Sequence, residues 1–257
     1  MTRWHLPVAK VAAMRTGVIC AVVAALEILC RLGTIDRVTM IPPSEMASSL
    51  WDIIRSGRFN SDIFFTLYNV TAAAVLAIAA GFFIGAGLHA LPRLRRLVVP
   101  MLAAYYAVPT FVFYPLLIVA FGVGRTALVV MGALFGVVAM IVNTTLGLDH
   151  VPPVVVKTGA IMRLGGARQL LLMRLPSAAP HLVTGVKLAV AYSVIGIVAG
   201  EFILATAGMG KRIAFSYDNF DNRTMYGMLL LLLIGVMIVN GALSAWERRL
   251  HRRFGQR

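Results

Sequence analysis

TALVVMGALFGVVAMIVNTTLGL, residues 126–148, decides how this chain folds. The stretch carries no charged residue. Its apolar side chains do not alternate with polar ones, so it lacks the two-residue period of a half-buried strand. As a helix, a run of this length crosses about 30 Å of hydrocarbon. Lipid satisfies no backbone N–H or C=O, so only a helix or a closed barrel stands there. The missing alternation selects the helix.

Similar runs lie on both sides of it, at Ile63–Leu91, Leu97–Phe121, Leu182–Thr206 and Met225–Trp246. A further run, about residues 16–32, has the look of a signal peptide. Glu27 and Arg31 interrupt its end and no small-x-small cleavage site follows, so it is read as a retained span. The expectation is an all-α integral membrane protein of about six spans. It forms one domain over 1–257, with a five-helix core at about 63–246 and a cytoplasmic loop at about 149–181. Composition agrees. The 257 residues are 60% hydrophobic and 13% charged, against roughly 25% charged in a soluble domain.

The formal net charge of +14 would suggest nucleic acid on a soluble chain. Here the basic residues sit in short loops between apolar runs, where they act as orientation signals, and no nucleic-acid partner is expected. With both termini cytoplasmic, the inner segments hold Arg3, Lys10 and Arg15, then Arg93, Arg95 and Arg96, then Lys157, Arg163, Arg168 and Arg174, then Arg248, Arg249, Arg252, Arg253 and Arg257. The outer segments hold fewer cations (Arg31, Arg37, Arg55, Arg58, Arg125, Lys211, Arg212, Arg223) and most of the acids. That bias favours both ends inside.

Three GxxxG pairs, Gly81/Gly85, Gly132/Gly136 and Gly196/Gly200, lie in spans. Small residues let helices approach where no hydrophobic force drives them together. They mark either a dimer face or contacts within the bundle. Ile41-Pro42-Pro43-Ser44-Glu45 reads as a turn with Ser44 as N-cap. Met46, Leu50, Ile53 and Ile54 then fall on one side of a helix, either interfacial or packed on the spans. Cys20 and Cys30 read as small apolar residues, with no disulfide framework or metal spacing.

The longest cytoplasmic segment, Asp149 to His181, is unusual. Lys157 to Leu164 reads as a short helix ending at Gly165-Gly166. A second amphipathic stretch follows and stops at Pro176, with Pro180 at the mouth of the next span. Helix, glycine turn, helix and proline break build a hairpin that projects from the membrane. Its basic and apolar faces suit a docked partner or an anionic lipid surface.

This segment resembles the "EAA" loop of ABC importer permeases, which docks in a cleft of the ATPase subunit. The matching residues are Leu164-Gly165-Gly166-Ala167-Arg168 and Leu175-Pro176. Other ordered matches resemble the nitrate/sulfonate/taurine branch of that family. They are Ile41-Pro42-Pro43-Ser44, Val108-Pro109, Tyr114-Pro115-Leu116, Phe121-Gly122-Val123-Gly124, Gly200-Glu201-Phe202 and Gly208-Met209-Gly210. The family's loop glutamate is absent. Aligned on Gly165 it falls on Gly159, and aligned on Pro176 it falls on Lys157.

The resemblance implies a type I ABC importer permease fold with a cytoplasmic coupling-helix hairpin. Arg163, Leu164, Gly165, Gly166, Ala167, Arg168, Leu175 and Pro176 would contact the ATPase. It also implies a permease homodimer, a periplasmic solute-binding protein and an ATPase subunit that binds the ATP. The solute would be a small anion such as a sulfonate, taurine, nitrate or an aromatic acid.

Two acids approach the membrane. Glu27 can pair with Arg31 one turn on. Glu201 either lines the translocation pathway or partners Lys187 or another helix, since a charge in lipid faces protein or water. Tyr105, Tyr106, Pro109, Phe111 and Tyr114 gather in one run with Pro115. Prolines break the helical ladder there, and the aromatics form either a gate around a small solute or the core of a kinked helix. His89 and His181 are expected at the surface. No GxxxxGK[ST] is present, so no cofactor is expected in this chain, and no catalytic or metal cluster appears. The chain is therefore expected to be a pore-forming subunit rather than an enzyme. The alternative is a secondary carrier driven by an ion gradient, which would show an inverted repeat.

Overall fold

The computed structural model describes residues 8–105 and 107–254, with side chains from 14 to 249 except 106 and 204. The charges expected at Arg3 and Arg257 and the aromatic at Tyr106 lie outside the described residues, as do the side chains of Lys10, Arg252 and Arg253. Every regular element among the described residues is helical. In chain order these are α1 (Val8–Arg31), α2 (Pro43–Ser56), α3 (Asn60–Ala90), α4 (Pro92–Tyr105), α5 (Tyr114–Phe121), α6 (Arg125–Asp149), α7 (Pro153–Ile161), α8 (Gly166–Gln169), α9 (Leu175–Leu204), α10 (Met209–Asp218) and α11 (Asn222–Phe254). A 3-10 turn, Thr110–Phe113, leads into α5, and a π-helical segment, Leu170–Arg174, joins α8 to α9.

Among the described residues, four helices are long and apolar enough to cross a membrane: α3, α6, the continuous rod that ends in α9, and α11. A fifth span arises if α4 and the 110–121 pair count together, but these are bent by 100°. The run expected to be one span at Leu97–Phe121 is therefore broken. Pro109 stands at the break and Pro115 at the start of α5, each without an N–H for the helical ladder. Helix α1 has the length for a crossing, and its described part carries Arg15, Glu27 and Arg31.

The chain packs as two compact units. One joins the described residues up to Asn60 with Arg212–Leu232. In it, Glu27 pairs with Arg31 at 2.6 Å, as the i,i+4 spacing suggests. Its carboxylate also accepts the Ser44 amide at 3.0 Å and the Ser44 hydroxyl at 2.7 Å. Ser44 is thus not the N-cap. Pro43 occupies the first helical position and Pro42 the cap, because proline has no N–H to leave orphaned there and its φ already suits a helix. An acid from α1 covers the start of α2 instead. Helix α2 packs by Ser49 and Ile53, while Ile54 stays exposed. The Ser49 hydroxyl donates to the Arg223 carbonyl at 2.6 Å.

The other unit, Ser61–Lys211 with the described residues from Leu233 on, has a core of α3, α6 and α9. The GxxxG pairs work inside it. A methyl group at Gly81 would lie 2.8 Å from the Val137 carbonyl oxygen, and one at Gly136 would lie 2.6 Å from that of Ala189. Gly196 faces Gly132 at a distance that admits no side chain. These contacts settle the role of the pairs within the bundle. At one end, Asp149 accepts hydrogen bonds from Arg95 and pairs with His89 at 2.9 Å. His181 stacks at 5.1 Å on His150. His89 and His181 are both half-exposed, and each has a partner. Cys20 and Cys30 are both free thiols.

Candidate functional site

The hairpin at 149–181 forms, with different geometry. Helix α7 starts on Pro153, with Pro152 as its cap. The turn is made by Arg163, which holds a left-handed φ of 52°. Neither Gly165 nor Gly166 has a positive φ. Amides on both sides of the turn are satisfied, Leu164 by the Gly159 carbonyl at 3.1 Å and Gln169 by that of Gly165 at 2.9 Å. Gln169 locks the hairpin by donating from Nε2 to the Val156 carbonyl at 2.7 Å. Gly159 makes this possible, since a methyl group there would meet the Gln169 amide nitrogen at 2.7 Å. Of the two positions that align with the family's glutamate, Gly159 is thus covered by the Gln169 side chain.

The second stretch does not stop at Pro176. The rod is continuous from Gly166 to Ile203. The Leu170–Arg174 segment opens into π geometry, with the Leu175 amide donating to the Leu170 carbonyl. A π bulge shifts the ladder by one residue, which accommodates a proline that donates nothing. The Ser177 hydroxyl then covers the Met173 carbonyl at 2.8 Å. Leu175 and Pro176 are half-buried at the base, where Leu148, Val151 and Ala178 form a small core.

The expected coupling residues therefore separate into two groups. Arg163, Gly165, Gly166, Ala167 and Arg168 lie exposed at the tip with Leu164 half-buried among them, and Leu175 and Pro176 sit in the base. Beside the tip, Ile161 is 82% exposed and Met162, Leu171 and Leu172 are each more than 60% exposed. Exposed apolar side chains beside cations suit a docked partner or a lipid surface. A methyl group at Gly165 or Gly166 would meet nothing within 4 Å.

The expected pathway residues do not form one cluster. Tyr105 donates to the Leu134 carbonyl at 2.9 Å, and Phe111 packs edge-to-face on Phe135 at 5.2 Å, so both lean on α6. Pro109 is exposed at the bend. Tyr114 is buried and lines a cavity of about 350 Å³ with Phe65, Arg125 and Leu128. Glu201 is fully buried and is not among that cavity's lining residues.

What Glu201 does is explicit in its contacts. Its Oε2 accepts the Thr66 hydroxyl at 2.6 Å and the Gly210 amide at 3.2 Å. The Met209 amide donates to Thr66 Oγ1 at 2.8 Å, and the Gly208 amide donates to Asp62 at 3.0 Å. Three successive amides at the start of α10 are thus held by two acids and a hydroxyl, as the positive end of a helix favours. Gly208 has a φ of 111°, and a methyl group there would strike the Glu201 carboxyl. Lys187 pairs with Glu247 at 3.1 Å rather than with Glu201. Asp62, Thr66 and Gln169 went unnoticed in the sequence. For Asp62 and Thr66 a signal existed, since with Asn69 they form a polar i, i+4, i+7 stripe at the mouth of an apolar span.

Comparison with known proteins gives a consistent picture. The chain is 23% identical over 255 residues to the taurine transport system permease protein TauC of Escherichia coli (strain K12), covering 96% of this chain and 92% of that one. It is 22% identical to the putative aliphatic sulfonates transport permease protein SsuC of Bacillus subtilis (strain 168), covering 89% and 83%. It is 23% identical to the nitrate import permease protein NrtB of Synechococcus elongatus, covering 73% and 68%. Its fold is that of a chain from the MetNI methionine ABC transporter, with a TM-score of 0.65, 18% identity, and coverage of 75% of this chain and 95% of that chain. Residues 50–256 match a family described as the binding-protein-dependent transport system inner membrane component. This chain belongs to that family of ABC transporter permeases, multi-pass components of the inner membrane.

Proposed function

We propose that this chain is the membrane-spanning permease of an ATP-driven importer for a small anionic solute, and that it docks an ATPase subunit through the tip of the 149–181 hairpin. One observation carries the docking. The tip exposes Ile161, Met162, Leu171 and Leu172 together, rimmed by Arg163 and Arg168, with open space around Gly165 and Gly166. A partner that covers this patch gains hydrophobic burial and finds room to approach the backbone. Because the rod runs unbroken from Gly166 into α9, a movement at the tip is delivered into a span without passing through a loop. The partner would bind ATP, a periplasmic protein would deliver the solute, and a second copy of this chain would complete the pathway, with both termini cytoplasmic. Alternating access then follows if nucleotide-bound partner prefers one conformation of the spans. The anionic class rests on relatives named for taurine, nitrate and aliphatic sulfonates.

The test is affinity purification of the tagged chain in mild detergent, with mass spectrometry of what accompanies it. An ATPase should co-purify, and Gly165→Trp with Gly166→Trp should lose it. If the chain comes alone and moves solute along an ion gradient by itself, it is a secondary carrier.

A further inference from the structure

The 350 Å³ cavity beside α6 has the chemistry of an anion site. Arg125, the first residue of α6, lines it. Its guanidinium carbon lies 4.7 Å from the centre of the Phe65 ring and 5.2 Å from that of Tyr68. These faces hold the cation in place. They neutralise nothing, and among the described residues Arg125 makes no ion pair. Tyr114 is a second, independent pointer. It is 6% exposed and lines the same cavity, and its hydroxyl has no hydrogen-bond partner among the described residues. The ring is buried while the hydroxyl is not fully enclosed, which leaves it open to a ligand in the cavity.

The remaining polar groups are also suited to an anion. Thr206 lines the cavity. Gly124 caps α6 without any side-chain hydrogen bond, and the first bond of that 25-residue helix is made only at the Leu128 amide. The preceding amides of the first turn are orphan donors at the positive end of the helix. Among the described residues no carboxylate lines the cavity. Asp62 and Glu201, on the flanking helices, are engaged with the 208–210 amides. The rest of the wall is apolar, with Phe65 and Leu128 prominent. One cation, hydroxyls and orphan amides against an apolar wall fit an acid group on a short carbon body, and the volume lies at the small end for ligand pockets.

We propose that this cavity binds a compact organic sulfonate or carboxylate. Arg125, Tyr114 and the first-turn amides of α6 hold the acid group, and the carbon body lies against Phe65 and Leu128. The proposal rests on the importer reading and adds to it a site on the permease itself that selects the charge of the solute.

The full-length chain purified in detergent tests it, with ethanesulfonate as the probe. Choline, and chloride at matched ionic strength, serve as controls. Ethanesulfonate should raise the thermal unfolding midpoint saturably, and the controls should not. Arg125→Gln should weaken the ethanesulfonate affinity about tenfold or more, with Arg125→Lys recovering part of it, because charge-assisted donors are the strong ones. Tyr114→Phe should weaken it severalfold without moving the unliganded midpoint. No saturable shift in the unmodified chain, or equal affinity in Arg125→Gln, overturns the site. If Arg125→Gln fails to fold, Tyr114→Phe decides alone, and unchanged affinity there overturns it. Co-purification of the ATPase is scored on the same preparations. A chain that keeps its ATPase but ignores ethanesulfonate sinks this site and leaves the importer reading standing. A chain that binds ethanesulfonate without any ATPase partner does the reverse.

Discussion

Glycines in the α3/α6/α9 bundle and glycines at the hairpin tip are the same residue used for opposite reasons. At Gly136 a single methyl group would press on the Ala189 carbonyl and the Ser193 hydroxyl at 2.6 and 2.8 Å. At Gly165 and Gly166 it would touch nothing, and the backbone there needs no left-handed φ. The bundle glycines are explained wholly by this chain. Among the described residues nothing requires glycine at the tip, and the proposed docking of a partner there supplies a reason. The first region is judged by stability and the second by what it captures.

The sharpest way to break this contrast is Gly136→Leu. It should destabilise the detergent-solubilised protein by about 3 kcal/mol, the upper range for overpacking a tight core, or prevent its accumulation. A thermal unfolding midpoint equal to that of the parent would show that the bundle is loose. Next comes Glu201→Ala, which strips Thr66 and the Gly210 amide of their buried acceptor. About 2 kcal/mol is expected, the usual cost of leaving buried donors unsatisfied. Faster proteolysis at 205–210 should accompany it, and an unchanged cleavage pattern would remove Glu201 from its anchoring role. A smaller effect, about 1–2 kcal/mol, is expected from Gly159→Val, which pushes Gln169 off the Val156 carbonyl. Hydrogen exchange of the Leu164 and Gln169 amides should rise with it, and if protection is untouched the hairpin is not locked by that contact. Smallest in stability is Gly165→Trp with Gly166→Trp. The shift should be within about 0.5 kcal/mol, as for surface changes, while ATPase capture is lost. Large destabilisation from this pair would place the tip glycines in the same class as those of the bundle.

Much of this was legible beforehand. The long apolar runs announced α3, α6, α9 and α11, because lipid leaves the backbone no alternative to a helix. Glu27 and Arg31 met as their spacing suggested. The failures concern places where two segments compete for one group. Ser44 carries the chemistry of an N-cap, yet Glu27 from another helix took that task and Pro43 took the first turn. Pro176 has the signature of a stop, yet a π bulge absorbed it because the rod is held at its base by Leu148, Val151 and Ala178. Glu201 stood out as a charge in an apolar run, and no local pattern names Thr66 or Gly210 as its partners.

By itself the sequence determined that this chain lives in a membrane as a set of helices, and through short ordered motifs which family it belongs to. Both follow from local properties, since hydropathy sets the solvent and the solvent dictates the secondary structure. Only the tertiary structure decided which glycines are filled by neighbours, where the third apolar run bends, which amides the buried acids hold, and that Arg125 and Tyr114 share a cavity. Each of these depends on residues far apart in the chain arriving within a few ångströms of each other, and that proximity is set by packing rather than by spacing.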